Sequence, residues 1–124
     1  MEERDPFTAA IIGAAIEVHR EMGPGLLESV YQACMQEELR LRKIAFLAQH
    51  RLPLIYKGRP LPEDFILDFY FPSQLVVELK AVERLLPVHE AQILTYLRLS
   101  STKIGLLINF NVPVLKDGLK RMIL

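Results

Sequence analysis

The spacing of apolar residues along the first third of the chain has the period of an α-helix. Apolar side chains recur at helical intervals over residues 7–21 and again over about 25–42, so each segment is predicted to be an amphipathic helix. Gly23-Pro24-Gly25 separates the two segments and predicts a break between them. Because proline suits the first turn of a helix, Pro24 is expected to begin the second one.

The pattern then changes to the alternation of apolar and polar side chains that is typical of a strand. It predicts a first strand over residues 46–56, a turn at 57–60 and a second strand over 65–71. A break at 72–74 precedes a third strand over 75–79. Since short turns join them, the three strands are expected to pair antiparallel.

The last part of the chain returns to helical spacing. Residues 87–99 predict a helix with proline in its first turn, 104–110 a short apolar strand, and 116–124 a terminal element of uncertain type. A strand that follows a helical crossover can lie parallel to a strand of the earlier sheet. The order predicts a single α/β domain over residues 1–124, in which helices flank a central mixed sheet: an antiparallel meander plus one parallel strand.

Composition limits the classes of function. The chain has 124 residues and is 51% hydrophobic, which suits one domain with one core. Lys+Arg and Asp+Glu are both 15, and this balance excludes a protein that binds nucleic acid through bulk charge. Any nucleic-acid contact must come from a local basic patch or be brief. The single cysteine, Cys34, excludes an intrachain disulfide and a cysteine-rich zinc site, and is expected to be a small core residue.

The sequence also carries expectations about location and assembly. It has no signal-peptide pattern and no apolar stretch long enough to span a bilayer, so no membrane contact is expected and a cytoplasmic location is predicted. The apolar content is compatible with a homodimer or a protein partner.

Two carboxylates stand inside otherwise apolar predicted strands, where an unpaired ionised group is costly. Asp68 lies in the second strand and Glu78 in the third, followed by Lys80. Side chains alternate along a strand, so Glu78 and Lys80 share one face. If the turn between the strands has three residues, Asp68 lies directly opposite Glu78 and all three side chains converge. A two-residue turn would put the carboxylates on opposite faces.

Such a set has a clear chemical use. Two hard oxygen ligands suit magnesium, which keeps several waters. A bound metal can polarise a phosphate and activate water, and Lys80 can orient that water or offset negative charge on the phosphate. The alternative is a cross-strand salt bridge between Lys80 and Asp68 or Glu78.

Four motifs in order resemble a known family. The run Gly25-Leu26-Leu27-Glu28-Ser29-Val30-Tyr31 has the pattern that names the GxxExxY protein family, which is similar to the PD-(D/E)XK nuclease superfamily. Asp68 and Glu78-Leu79-Lys80 agree with it, and the late apolar run at residues 106–110 also looks like a strand of that family. Gln92 and Tyr96 resemble the Gln-xxx-Tyr motif of its exonuclease branch. The resemblance covers roughly residues 7–122 and implies a restriction-endonuclease-like core.

The resemblance implies a role for each matching residue. Asp68 and Glu78 would be catalytic residues and metal ligands, with the Leu79 backbone carbonyl as a third ligand, and Lys80 would be the catalytic lysine. The ion would be Mg²⁺ or Mn²⁺. One departure is that Leu67 replaces the proline of the PD signature, which is not a ligand.

Residues outside the central motif have both functional and local interpretations. Glu28 would reach the site as an additional acidic metal ligand, or it stabilises the positive end of its own helix. Gln92, Tyr96 and Tyr31 would support the site or touch nucleic acid. A tyrosine on an amphipathic helix is also a common core residue.

Two principal functions remain open on the sequence alone. The first is a metal-dependent nuclease that hydrolyses phosphodiester bonds in DNA or RNA, and the intact acid, acid and lysine set favours it. The second is a non-catalytic nucleic-acid- or protein-binding module that keeps the nuclease fold, which the neutral charge and small size favour. A structural protein with a buried ion pair is a third reading.

Overall fold

The computed structural model describes residues 5–124, which contain three α-helices and five strands. The helices are α1 (Pro6–Met22), α2 (Glu28–Leu41) and α3 (Pro87–Leu99); the strands are β1 (Leu47–Tyr56), β2 (Arg59–Phe71), β3 (Leu75–Lys80), β4 (Ile104–Asn109) and β5 (Leu119–Ile123). A short 3-10 helix, Leu115–Gly118, precedes β5. None of the described helices is long and apolar enough to cross a membrane.

The strands form one open mixed sheet in the order β1-β2-β3-β4-β5, as the α/β prediction required. β1 pairs antiparallel with β2, and β2 with β3, which confirms the predicted meander. β4 follows the α3 crossover and lies beside β3. The terminal element, for which the sequence predicts no definite type, is β5 preceded by the 3-10 helix.

The start of α2 differs from the prediction. Gly23 and Gly25 have φ values of 72° and 92°, in the left-handed region that only glycine adopts without strain. Leu27 is extended, with φ −69° and ψ 148°, and it is the residue that precedes the helix. Pro24 therefore lies in a loop and does not begin the second helix. The helix starts three residues later than the predicted position, at Glu28.

The turn between β1 and β2 is shorter than predicted. It consists of Lys57 and Gly58, with φ values of 51° and 77°, and the flanking Tyr56 and Arg59 pair with each other. Two positive φ values are the signature of the tight hairpin turn that matches strand twist. Arg59 and Pro60 therefore belong to β2, and this strand is 13 residues long.

By its internal contacts the chain divides into two compact units. The first comprises Met1–Ala45, Leu79–Leu85 and Ile108–Leu119, and the second Phe46–Glu78, Leu86–Leu107 and Lys120–Leu124. The fully buried side chains of the first unit include Ile11, Met35, Leu39 and Phe110; those of the second include Leu67, Phe69, Leu75, Ile93 and Leu97. The single-domain description of residues 1–124 stays a prediction, and its first four residues lie outside the described part.

Candidate functional site

The β2–β3 hairpin has the register on which the site prediction depended. Its turn is Pro72-Ser73-Gln74, and Phe71 pairs with Leu75 on either side of it. Ser73 has a φ of 68°, and the Gln74 backbone N–H donates to the Phe71 carbonyl at 2.9 Å. The turn therefore has an odd number of residues, as predicted. Continuing the observed pairing places Asp68 opposite Glu78, on the same face of the sheet.

A direct contact joins the two acidic positions. The backbone N–H of Asp68 donates to Oε1 of Glu78 at 3.2 Å. Glu78 is only 4% exposed, whereas Asp68 is half-buried. A carboxylate in such a place is costly unless hydrogen bonds or a cation compensate it. The hairpin thus holds two acids together at the edge of an apolar layer.

Gln49 is a third side chain at this point, and the sequence analysis did not identify it. Its Nε2 donates to Oδ1 of Asp68 at 3.2 Å. The β1–β2 pairing brings it there, since its neighbours Ala48 and His50 pair with Phe69 and Leu67. Gln49 has a φ of 50°, an uncommon value for a residue other than glycine. No local sequence signal reveals this, because the pairing of Gln49 depends on a register shift between Pro53 and Ile55 as well as on the two-residue turn.

Helix α3 adds Tyr96 and Gln92 to the two acids. Tyr96 is 8% exposed, and its pKa is raised above the usual value by burial and then by the negative charges of Glu78 and Asp68. A hydrogen bond with Gln92 acts in the opposite direction on that pKa. Both carboxylates therefore lie close enough to the tyrosine hydroxyl to influence it. Asp68, Glu78, Gln92 and Tyr96 all belong to the second unit.

Lys80 and Leu79 complete β3 in the first unit. Leu79 is fully buried, and side-chain alternation along the strand gives Lys80 the same side as Glu78. The Lys80 carbonyl accepts a hydrogen bond from the Phe110 backbone at 2.9 Å. Just beyond, the buried Asn109 amide donates to the Val82 carbonyl at 2.9 Å. These bonds fix the backbone that carries Lys80.

Tyr31 has a structural position within its own unit. The side chain is fully buried and stacks on Phe110 with ring centroids 4.5 Å apart. Its hydroxyl donates to the Gly23 carbonyl at 2.6 Å and accepts from the Leu26 backbone at 3.2 Å. The ring presents no surface to nucleic acid, so the supporting role is the compatible one. These two hydrogen bonds attach the side chain of Tyr31 to the glycine-containing loop that precedes α2.

Glu28 is the first residue of α2 and is exposed. A negative charge there interacts favourably with the positive end of the helix, which is the local interpretation. Within residues 5–124, no group of three or more His, Cys, Asp or Glu side chains is arranged to hold a metal ion. The role of Glu28 as an additional metal ligand stays a prediction.

Comparison with known proteins bears on this arrangement. The family model of the PD-(D/E)XK nuclease superfamily matches residues 5–122, almost the whole chain. The chain belongs to the PD-(D/E)XK nuclease superfamily. Neither the curated proteins nor the solved structures give a significant match.

Members of the PD-(D/E)XK nuclease superfamily generally use divalent metals, and the donor set of this member can be tested for fit. Magnesium commonly takes one or two protein carboxylates and keeps waters in its remaining positions. Asp68 and Glu78, opposed across the hairpin, provide two such ligands. The residues therefore fit a hard cation that is mostly hydrated, and they lack the nitrogen and sulfur donors that zinc prefers.

Proposed function

We propose that this protein is a metal-dependent nuclease that hydrolyses phosphodiester bonds in DNA or RNA. The observation that carries the proposal is the pairing of Asp68 with Glu78, in contact across the β2–β3 hairpin of a chain that belongs to a nuclease superfamily. Asp68 and Glu78 would hold Mg²⁺ or Mn²⁺, with the Leu79 carbonyl as a further ligand. Membership of the GxxExxY family and a cytoplasmic location belong to the same proposal.

Each side chain has a distinct task in the proposed reaction. A bound divalent cation would polarise the scissile phosphate and favour ionisation of the attacking water. The Lys80 ammonium would orient that water or offset negative charge as it develops on the phosphate. Gln49 would hold the Asp68 carboxylate in one orientation through its 3.2 Å hydrogen bond. Tyr96, whose pKa is raised by burial and by the two carboxylates, would donate a hydrogen bond from its hydroxyl.

Cleavage assays with two variants test the division of roles. Lys80→Ala should abolish cleavage while leaving metal binding largely intact, because an ammonium has no lone pair for the ion. Asp68→Ala should weaken both. Loss of one electrostatic contact to a transition state typically costs on the order of a hundredfold or more in rate. Labelled DNA and RNA substrates, with magnesium, manganese or chelator, provide the activity measurement, and calorimetric titration provides metal affinity.

Lys116→Ala, which removes an exposed lysine of the 3-10 helix, is the matched control and should cleave like the wild type. Undiminished cleavage by Lys80→Ala would reject the assigned site and indicate a contaminating nuclease or another centre.

The zero net charge keeps a second function in view. A nuclease that binds substrate alone usually presents excess positive charge, whereas a binding module with a protein partner has no such need. Wild-type protein that binds nucleic acid in a metal-dependent way, yet cleaves none of the substrates, would favour the non-catalytic module.

A further inference from the structure

Part of β2 extends beyond its pairing with β3. Among the described residues, β3 pairs with β2 at Phe69, Tyr70 and Phe71. Continuing that register to the end of β3 reaches no further than Ile66. From Arg59 to Phe65, β2 is therefore paired with β1 alone. We call residues 52–65, including the Lys57-Gly58 turn, the ribbon; it has two strands, with a register shift between Pro53 and Ile55, and lies wholly in the second unit.

The ribbon is exposed along most of its length. Every residue from Arg59 to Asp64 is exposed, and on β1 the side chains of Ile55 and Tyr56 are 50% and 59% exposed. A two-stranded hairpin without further packing is at best marginally stable in water. Exposed large apolar side chains on such an element are typical of a surface that binds something.

Three prolines argue against another strand as the partner. Pro53 lies on β1, and Pro60 and Pro62 lie on β2. Proline has no backbone N–H, so it interrupts the hydrogen-bond ladder that strand addition requires. A second copy of this chain or an extended peptide would therefore pair poorly along either edge of the ribbon.

The tip of the ribbon carries positive charge. From Ile55 to Pro60 the sequence contains two cations, Lys57 and Arg59, and no carboxylate. The Lys57 ammonium lies 5.6 Å from the centre of the Tyr56 ring. Farther from the tip the ribbon carries two carboxylates, Glu63 and Asp64, of which Asp64 pairs with Arg51 at 3.5 Å. An exposed aromatic ring beside two cations suits a phosphate-lined partner.

The width of the ribbon determines which kind of nucleic acid can receive it. The two strands of a ribbon are about 4.8 Å apart, and the major groove of B-form DNA, about 12 Å wide, admits a two-stranded ribbon with its side chains. The major groove of duplex RNA is too narrow and deep for side chains to enter. We infer that the ribbon inserts its tip into the major groove of duplex DNA, with Lys57 and Arg59 against the phosphates.

This inference deepens the proposed nuclease function, on which its biological meaning rests, by naming duplex DNA as the substrate class. Its test compares two charge-matched variants of the full chain. The tip variant is Lys57→Asn with Arg59→Gln; the control is Lys43→Asn with Lys116→Gln, at exposed positions outside the ribbon. Each removes two cations, and each places asparagine at a lysine with positive φ, 51° at Lys57 and 59° at Lys43.

Fluorescence anisotropy would measure binding to duplex DNA, duplex RNA and single-stranded DNA over a range of salt, in chelator so that nothing is cleaved. The tip variant should bind duplex DNA about tenfold more weakly, and the slope of log affinity against log salt should fall by about 0.9 for each lost phosphate contact. The control should match the wild type. Circular dichroism would check that both variants fold.

Other outcomes overturn the inference in distinguishable ways. Equal binding by tip and control variants, or tip-dependent binding only to duplex RNA or single strands, would reject groove insertion. A tip variant that changes the sedimenting mass but not DNA affinity would make the ribbon an interface between copies. If the protein cleaves DNA but its affinity does not depend on the tip, groove insertion is rejected and the nuclease function is retained. If binding depends on the tip but no substrate is cleaved, groove insertion is retained and the nuclease function is rejected.

Discussion

Replacing Asp68 by asparagine is expected to stabilise the metal-free protein and to remove its response to magnesium. The exchange keeps the size of the side chain, and the new amide oxygen can still accept the hydrogen bond from Gln49. The change therefore removes one negative charge from the face that carries Glu78. In the absence of a metal ion, that charge is repelled by the carboxylate of Glu78, which is only 4% exposed.

The size of the effect follows from the hairpin. Directly opposed residues on antiparallel strands have Cβ atoms about 5 Å apart, and two unit charges at that distance repel by roughly 3 kcal/mol at an effective dielectric constant of about 20. Because Asp68 is only half-buried, solvent reduces this, and a gain of about 1–2 kcal/mol is expected. For a domain of this size each kcal/mol raises the melting temperature by about 4 °C.

Thermal melts in chelator and in magnesium provide the assay. A ligand present at about a hundred times its dissociation constant stabilises the fold by about 2.7 kcal/mol, so the wild type should melt roughly 10 °C higher with metal. Asp68→Asn should melt higher than wild type in chelator and hardly respond to magnesium. Glu63→Gln, an exposed carboxylate of β2, is the control and should keep the wild-type response. An Asp68→Asn protein that is less stable in chelator, or that keeps the full magnesium shift, would refute the reasoning.

Three further predictions concern Tyr96, Gly118 and Tyr31. Because the pKa of Tyr96 is raised in the folded protein, above about pH 10 the unfolded protein binds fewer protons at this residue than the folded protein does. The free energy of unfolding therefore falls as pH rises. Denaturant melts across pH should show a shallower decline for Tyr96→Phe. A Cβ on Gly118 would lie 2.1 Å from the Asn109 carbonyl oxygen, so Gly118→Ala should cost about 3 kcal/mol in the same melts, and an unchanged midpoint would reject that contact. Tyr31→Phe removes two hydrogen bonds to the loop before α2 and should cost about 2 kcal/mol, whereas loss of nucleic-acid binding at unchanged stability would reject its supporting role.

The central hairpin could be predicted because its register follows from a local signal. Pro72, Ser73 and Gln74 interrupt two apolar runs, and the parity of a three-residue turn is enough to set Asp68 opposite Glu78. The bounds of α3 were predicted for a similar reason, since Pro87 marks its first turn and the helical period ends at Leu99. In both cases a proline that interrupts regular structure lies next to a segment with a clear spacing of apolar residues.

The remaining features depend on information that is not local. Arg59 and Pro60 resemble turn residues, yet the tight turn at Lys57–Gly58 places them in β2. The β1–β2 register also depends on a shift between Pro53 and Ile55, which no local signal marks, and this shift sets the position of Gln49 beside Asp68. The sequence does not predict β5, because its mixed polar and apolar residues fit both a short strand and an amphipathic turn.

The described contacts around Asp68 and Glu78 suggest why a costly pair of acids is compatible with a stable fold. Asp68 offers its backbone N–H to Glu78, and Gln49 offers an amide N–H to Asp68, so donors from β2 and β1 offset part of the negative charge. Burial, and then the charges of both acids, raise the pKa of Tyr96 and so oppose loss of its proton. These contacts lie within the protein and do not depend on a cation. A cation would then meet ligands already oriented, which lowers the ordering cost of binding and makes its affinity sensitive to changes at Gln49.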